Sequence, residues 1–228
     1  MSKSLRTLTQ LQDELDAERI WRLKELSTLR KKLLSGARKI GAANEDDLAL
    51  LRPCVTMIYA HWEGFVKAAC SSYLEFVALQ RIPHKEMLSP FLAVAARRHA
   101  SESGLTGAEA DRFMISFFRD HADSRGYIPY KNGVDAKNNL WFGVFRDIYE
   151  SLGLSLESYE LRQQLIDTKL VSKRNAIAHG RFIDINSEDV EVLFDGIIEL
   201  MDEIKEQILD AARDGKYKLP IENEVVSV

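Results

Sequence analysis

The chain is short of cysteine, of long apolar runs and of excess positive charge, and each shortage removes a class of protein. Its two cysteines, Cys54 and Cys70, fall within what reads as one continuous helix, about 24 Å apart at 1.5 Å per residue. A disulfide cannot reach that far, so both are expected as reduced core residues. No stretch approaches the roughly 18 apolar residues that a membrane-spanning helix needs. The opening Met-Ser-Lys-Ser-Leu-Arg-Thr-Leu leads straight into a charged helical pattern, without the apolar segment and cleavage site of a secretory signal, and a cytoplasmic protein is expected. With 31 Lys and Arg against 35 Asp and Glu, the net charge of −4 supplies no bulk positive field for nucleic acid. Any such contact must use a local patch.

Catalytic and cofactor motifs are also missing. There is no Gly-x-x-x-x-Gly-Lys-Ser/Thr loop, no Gly-x-Gly-x-x-Gly after a strand and no Gly-x-Ser-x-Gly elbow. His61, His84, His99 and His121 do not pair at close helical spacing with nearby cysteine, and no His-Glu-x-x-His occurs, so neither metal nor cofactor is expected. His61 lies between Met57 and Phe65 at helical steps and reads as a packed histidine.

What the sequence does contain is helical periodicity. Hydrophobic residues make up 46% and charged residues 29%, the balance of a folded globular protein, and 228 residues can bury one core. The expected class is all-α, a single helical domain over 1–213 with a tail over 214–228. Leucines at 5, 8, 11, 15, 23, 26, 29 and 33 mark an N-terminal amphipathic helix over 5–34 that packs one face on the domain. Asn44 caps a central helix over about 45–80 whose broad stripe runs from Leu48 through Tyr59, Trp62 and Phe65 to Val77, with Pro53 as a kink or a true start. Shorter helices are expected over 85–99 and 107–121, the latter with capping-box spacing at Thr106 and Glu109. A loop over 124–133 precedes helices over 136–152 and 158–179. Asn186 and Asp189 cap a last long helix lined by Val190, Leu193, Phe194, Ile197 and Ile204.

Chemistry concentrates near the end of the 158–179 helix, which reads Lys173-Arg174-Asn175-Ala176-Ile177-Ala178-His179-Gly180. Arg174 stands amid an apolar register of Leu170, Val171, Ile177 and Ala178, aimed at a surface that the pattern says is covered. Asn175 and His179 share a face, one turn apart, whereas Arg174 and His179 diverge by about 140° on an ideal wheel. One helix alone therefore does not close an Arg–His site. Two copies across a twofold axis would. Histidine suits general acid or base work, arginine binds phosphate with a planar fork, and asparagine can orient either. The spacing by itself fits equally a structural ion pair and a favourable charge at a helix end.

Arg174-Asn-Ala-Ile-Ala-His179-Gly resembles the Arg-Asn-x3-His signature of the HEPN superfamily, helical proteins many of which are ribonucleases in toxin–antitoxin and phage-defence systems. Tyr59-Ala-His-Trp62-Glu63-Gly-Phe65-Val-Lys67 is similar to the early core helix of HEPN branches related to RNA repair. The resemblance covers about 45–82 and 136–212, with the N-terminal helix and the 83–135 region as additions. It implies a HEPN-like bundle and a metal-independent endoribonuclease acting on tRNA or mRNA, with Arg174 on the scissile phosphate, His179 as base or acid and Asn175 holding the geometry. Glu63, four residues after Tyr59, matches a supporting polar position from which a carboxylate can pair with Arg174. Lys169, Lys173 and Arg181 are candidate RNA contacts. A homodimer sharing one cleft is implied, together with an antitoxin or defence partner. The alternatives are a non-catalytic HEPN module binding RNA, a nucleotide or a partner protein, and a subunit in which Arg174 and His179 only stabilise an interface.

Overall fold

The computed structural model describes residues 4–37, 45–126, 128–131, 133–137 and 139–220. The Asn44 cap, the Leu48 side chain and residues 221–228 lie outside the described residues. Among the described residues seven α-helices organise the fold: α1 (Leu8–Ala37), α2 (Glu45–Gln80), α3 (Ser89–Glu102), α4 (Gly107–Asp120), α5 (Phe142–Ser151), α6 (Lys173–Ala178) and α7 (Ser187–Arg213). Among the described residues there is no sheet, only isolated bridges pairing Pro83 with Arg125 and Met87 with Lys218. The protein is all-α.

Helices α1, α2 and α7 pack against one another. The predicted stripe of α2 is buried from Leu51 to Val77, and Pro53 sits inside the helix. Thr7 and Gln10 cap α1 reciprocally, the Gln10 amide N–H donating to Thr7 Oγ1 and Gln10 Oε1 accepting the Thr7 N–H. Helix α1 runs past the expected stop at Ser35-Gly36 to Ala37. Its inner face consists of Leu11, Leu15, Arg22, Leu26 and Leu33. Arg22 fits there because Gly64 on α2 has no side chain: a Cβ would come within 3.0 Å of Arg22 Nη2. The guanidinium stacks 4.3 Å from the Trp21 ring centroid and donates to the Glu18 carbonyl and carboxylate. Ion pairs from Arg19 to Asp202, Arg30 to Asp195 and Lys205 to Asp16 then tie α1 to α7.

The buried His61 also lies at the α1–α2 contact, 5.4 Å from the Trp21 ring and 3.1 Å by its Nε2 from Glu25. Burial pushes its pKa below the usual histidine range; the nearby Arg22 acts the same way, and Glu25 opposes them. A depressed folded pKa means that the unfolded chain takes up the proton first, so stability is fully present above about pH 6.5 and is lost as pH falls toward the folded pKa. Relative to His61→Gln, the wild-type protein should lose unfolding free energy between neutral pH and pH 5 in urea titrations. A pH-independent difference would contradict this account.

The region between α2 and α5 is an excursion that leaves and returns at one place. Gly126 donates its N–H to the Ile82 carbonyl at 2.8 Å, beside the Pro83–Arg125 bridge. Between these points α3 and α4 pair, with Phe117 of α4 between His84, His99 and His121. Helix α3 starts at Ser89, later than expected, because Pro90 favours a helix's first turn and a 3₁₀ turn occupies His84–Glu86. Thr106 occupies the N-cap position of α4 without the expected side-chain bond. Residues 214–220 are no free tail: Leu88 donates to the Tyr217 carbonyl, Leu219 donates to that of Glu86, and Tyr217 is buried against Phe76.

Two further expectations change near the motif. Helix α5 starts at Phe142 rather than 136, because Asn139 to Trp141 form a tight turn, the Trp141 N–H donating to the Asn139 carbonyl at 3.1 Å, and this turn is pinned by α2. Tyr59 Oη accepts the Leu140 N–H at 3.0 Å, and Trp62 Nε1 donates to the Leu140 carbonyl at 3.4 Å. Asp167 then accepts the Phe142 N–H at 2.7 Å. The helix expected over 158–179 divides into a 3₁₀ segment (Glu157–Arg162), a π-helix (Leu165–Ser172) and α6.

Candidate active site

The motif is delivered by the junction of the π-helix with α6. A continuous α-helix would carry the buried face of Leu170 and Val171 on to Ile177 and Ala178, but the wider π turns shift that phase. Leu170 and Val171 are buried, whereas Ile177 is only half-buried and Ala178 is exposed. No residue of α6 is buried. Arg174 is consequently half-buried rather than set beneath a covered surface.

Among the described residues its guanidinium meets three others. Cζ lies 4.4 Å from the centroid of the Tyr59 ring on α2, a cation–π contact. Nη1 donates to Asn139 Oδ1 at 2.8 Å and to Asn175 Oδ1 at 2.9 Å. Since arginine only donates, both amides must present their oxygens. Burial, together with the adjacent Glu63 carboxylate, pushes the Tyr59 phenol up to about 12 against the opposing pull of the Leu140 N–H and Arg174. Tyr59 is thus a neutral platform at ordinary pH.

Glu63 does not make the expected ion pair with Arg174. Its cationic partner is Lys67, 3.6 Å away on the next turn of α2, and its link toward the motif runs through the Tyr59 hydroxyl. Among the described residues the oxygens on Arg174 are neutral amides, so its charge is held in place without being cancelled.

His179 caps the C-terminus of α6, donating its backbone N–H to the Asn175 carbonyl at 3.0 Å. Gly180, at φ 69°, closes a Schellman turn: its N–H reaches the Ile177 carbonyl and that of Arg181 reaches the Ala176 carbonyl. A side chain at Gly180 would face the left-handed penalty, and the glycine lets the chain turn away just after the histidine. The imidazole is exposed and has no hydrogen-bond partner among the described residues. The structure therefore gathers Arg174 and Asn175 with Asn139 and Tyr59, and leaves His179 at the open end of the same short helix.

The three candidate RNA-binding cations differ. Lys173 is engaged by Asp189 at 2.8 Å, and this hydrogen bond holds the carboxyl below its usual range. Lys169 is half-buried and adds to the positive field on Asp189. Arg181 is exposed, with its carbonyl accepting from Arg52 Nη2 at 2.8 Å. Asn139 and the Tyr59 ring are the site residues that helical spacing does not reveal. Asn139 arrives from a non-helical segment, and Tyr59 reads as one more member of an apolar stripe.

The RiboL-PSP-HEPN family model matches residues 17–210. The chain belongs to this HEPN family. No curated protein and no solved structure matches the chain. The HEPN match takes in most of α1 and the whole α3–α4 excursion, as well as the two segments that carry the resemblance in sequence. Among the described residues of this HEPN chain, no three His, Cys, Asp or Glu side chains gather as metal ligands, and no helix is long and apolar enough to cross a membrane.

Proposed function

We propose that this HEPN protein is a cytoplasmic endoribonuclease that cleaves RNA, tRNA or mRNA, without metal. The observation that supports it best is an uncancelled guanidinium, fixed by two neutral amides, on the same six-residue helix that ends in an exposed histidine. RNA brings its own nucleophile. His179 takes the 2′-hydroxyl proton or protonates the leaving oxygen; the 2′-oxygen bonds to phosphorus and the P–O5′ bond breaks. The products are a 2′,3′-cyclic phosphate and a 5′-hydroxyl. Arg174 binds the charged phosphorane, and Asn175 keeps Arg174 in place.

His179 has no orienting partner among the described residues, and Phe182, three residues on, is 82% exposed. Both features support completion of the cleft by a second copy, as a homodimer. The biology that fits such an activity is that of a toxin or phage-defence effector held in check by an antitoxin or system partner. The same fixed cation would also serve a non-catalytic module binding RNA or a nucleotide.

The test is incubation of purified protein with tRNA, mRNA and DNA of matched sequence in EDTA, with end-group analysis. RNA alone should be cut, leaving cyclic-phosphate ends. Binding without cleavage by a folded dimer would replace the nuclease reading with the binding module.

A further inference from the structure

Nη1 of Arg174 carries two N–H groups, and both are used, one on Asn139 and one on Asn175. The donors left over are Nε–H and the two on Nη2, and among the described residues none of these has a hydrogen-bond partner. Nε–H and the near Nη2–H lie side by side and form one of the planar forks that match two oxygens of a phosphate. The Tyr59 ring, its centroid 4.4 Å from Cζ, further restrains the guanidinium. Asn175 is the neighbour of Arg174 on α6 and moves with it. Asn139 belongs to a different element, whose backbone is fixed independently by Tyr59 and Trp62 at Leu140 and by Asp167 at Phe142.

We propose that Asn139 and the Tyr59 ring are positioning residues, which select the Nε–Nη2 edge of Arg174 as the phosphate fork and keep its charge uncancelled. The inference rests on the ribonuclease reading for its consequence in catalysis, but not for its geometry. An aspartate at position 139 would make the same hydrogen bond and remove the net charge, so the use of an amide there has a specific meaning. Asn139 holds the arginine's orientation without competing with the anion that the arginine is to bind.

Two substitutions separate orientation from charge. Asn139→Ala frees one Nη1 hydrogen and leaves the charge; Asn139→Asp retains the bond and cancels the charge. The Leu140 clamp uses backbone atoms, so neither change removes a fold contact, and the isosteric Asn139→Asp covers a failure of the alanine variant to fold. Nitrogen-15 NMR of the Arg174 guanidinium should show hindered rotation in the wild type and in Asn139→Asp, and faster rotation in Asn139→Ala. Cleavage by Asn139→Ala should fall in kcat by about tenfold or more, with little change in KM, since misorientation costs the transition state more than binding.

Binding of single-stranded oligodeoxythymidylate, which offers phosphates without a 2′-hydroxyl, isolates the charge. The slope of log K against log salt should weaken by about 0.7 in Asn139→Asp, the value of one phosphate contact on a single strand, and stay unchanged in Asn139→Ala. Unchanged guanidinium rotation in Asn139→Ala, or an unchanged salt slope in Asn139→Asp, would overturn the proposal. If the wild type cuts no RNA, the nuclease reading fails by itself, and the rotation and salt measurements still decide whether Asn139 positions Arg174.

Discussion

His179→Ala should lower RNA cleavage by about 10²–10⁴-fold, the usual contribution of a positioned acid or base, without measurable loss of stability. The dissociation follows from where the side chain sits. Its imidazole is exposed and makes no hydrogen bond among the described residues, and the contacts that end α6 belong to the backbone of His179, Gly180 and Arg181. Alanine preserves all of these, so unfolding free energy should stay within about 0.5 kcal/mol, as for surface substitutions generally. RNA affinity should change little, because Arg174 and its amides are untouched. The measurement is single-turnover cleavage beside a urea unfolding curve. Activity within a few-fold of wild type would remove His179 from the chemistry and leave Arg174 as a phosphate-binding cation. A joint loss of activity and stability would assign it a structural role instead.

The fold was largely legible where one helix packs one face. The stripe of α2 and the α7 cap needed only periodicity and a capping residue, since the Asn186 side chain accepts the Asp189 N–H as its spacing predicts. The motif residues were legible as a pattern, but their arrangement was not. A wheel at 100° per residue cannot anticipate eight residues of π-helix, and these turn Ala178 out to solvent and leave Arg174 half-buried. The same limit hid Asn139. Leu140 and Trp141 look like the start of a helical stripe, yet Leu140 is buried because two α2 side chains satisfy its backbone in a tight turn ahead of the helix. Glu63 failed as a partner for Arg174 because local spacing favours Lys67, four residues on along its own helix, over any cation on another element.

That turn depends on what lies behind it, and Phe145→Ala is expected to show this as a loss of about 3–5 kcal/mol of stability. Phe145 is fully buried, its ring centroid 4.3 Å from Tyr149, 5.3 Å from Tyr159 and 5.4 Å from Trp62. Its backbone N–H closes the first turn of α5 on the Trp141 carbonyl at 2.9 Å. Truncation leaves a cavity walled by rigid rings that cannot collapse into it, which places the cost toward the upper end for such a change. Trp62 faces this cavity and also holds the Leu140 carbonyl, so a loosened indole also loosens the turn that carries Asn139. The urea midpoint should fall with an unchanged m-value, and Phe145→Leu should recover a large part of the loss by refilling the volume. In Phe145→Ala assayed well below its melting temperature, kcat should fall with the freedom gained by Asn139 while the fraction folded stays near one. A variant that is destabilised but cleaves at the wild-type rate would mean that the aromatic cluster supports the fold without setting the geometry of Arg174.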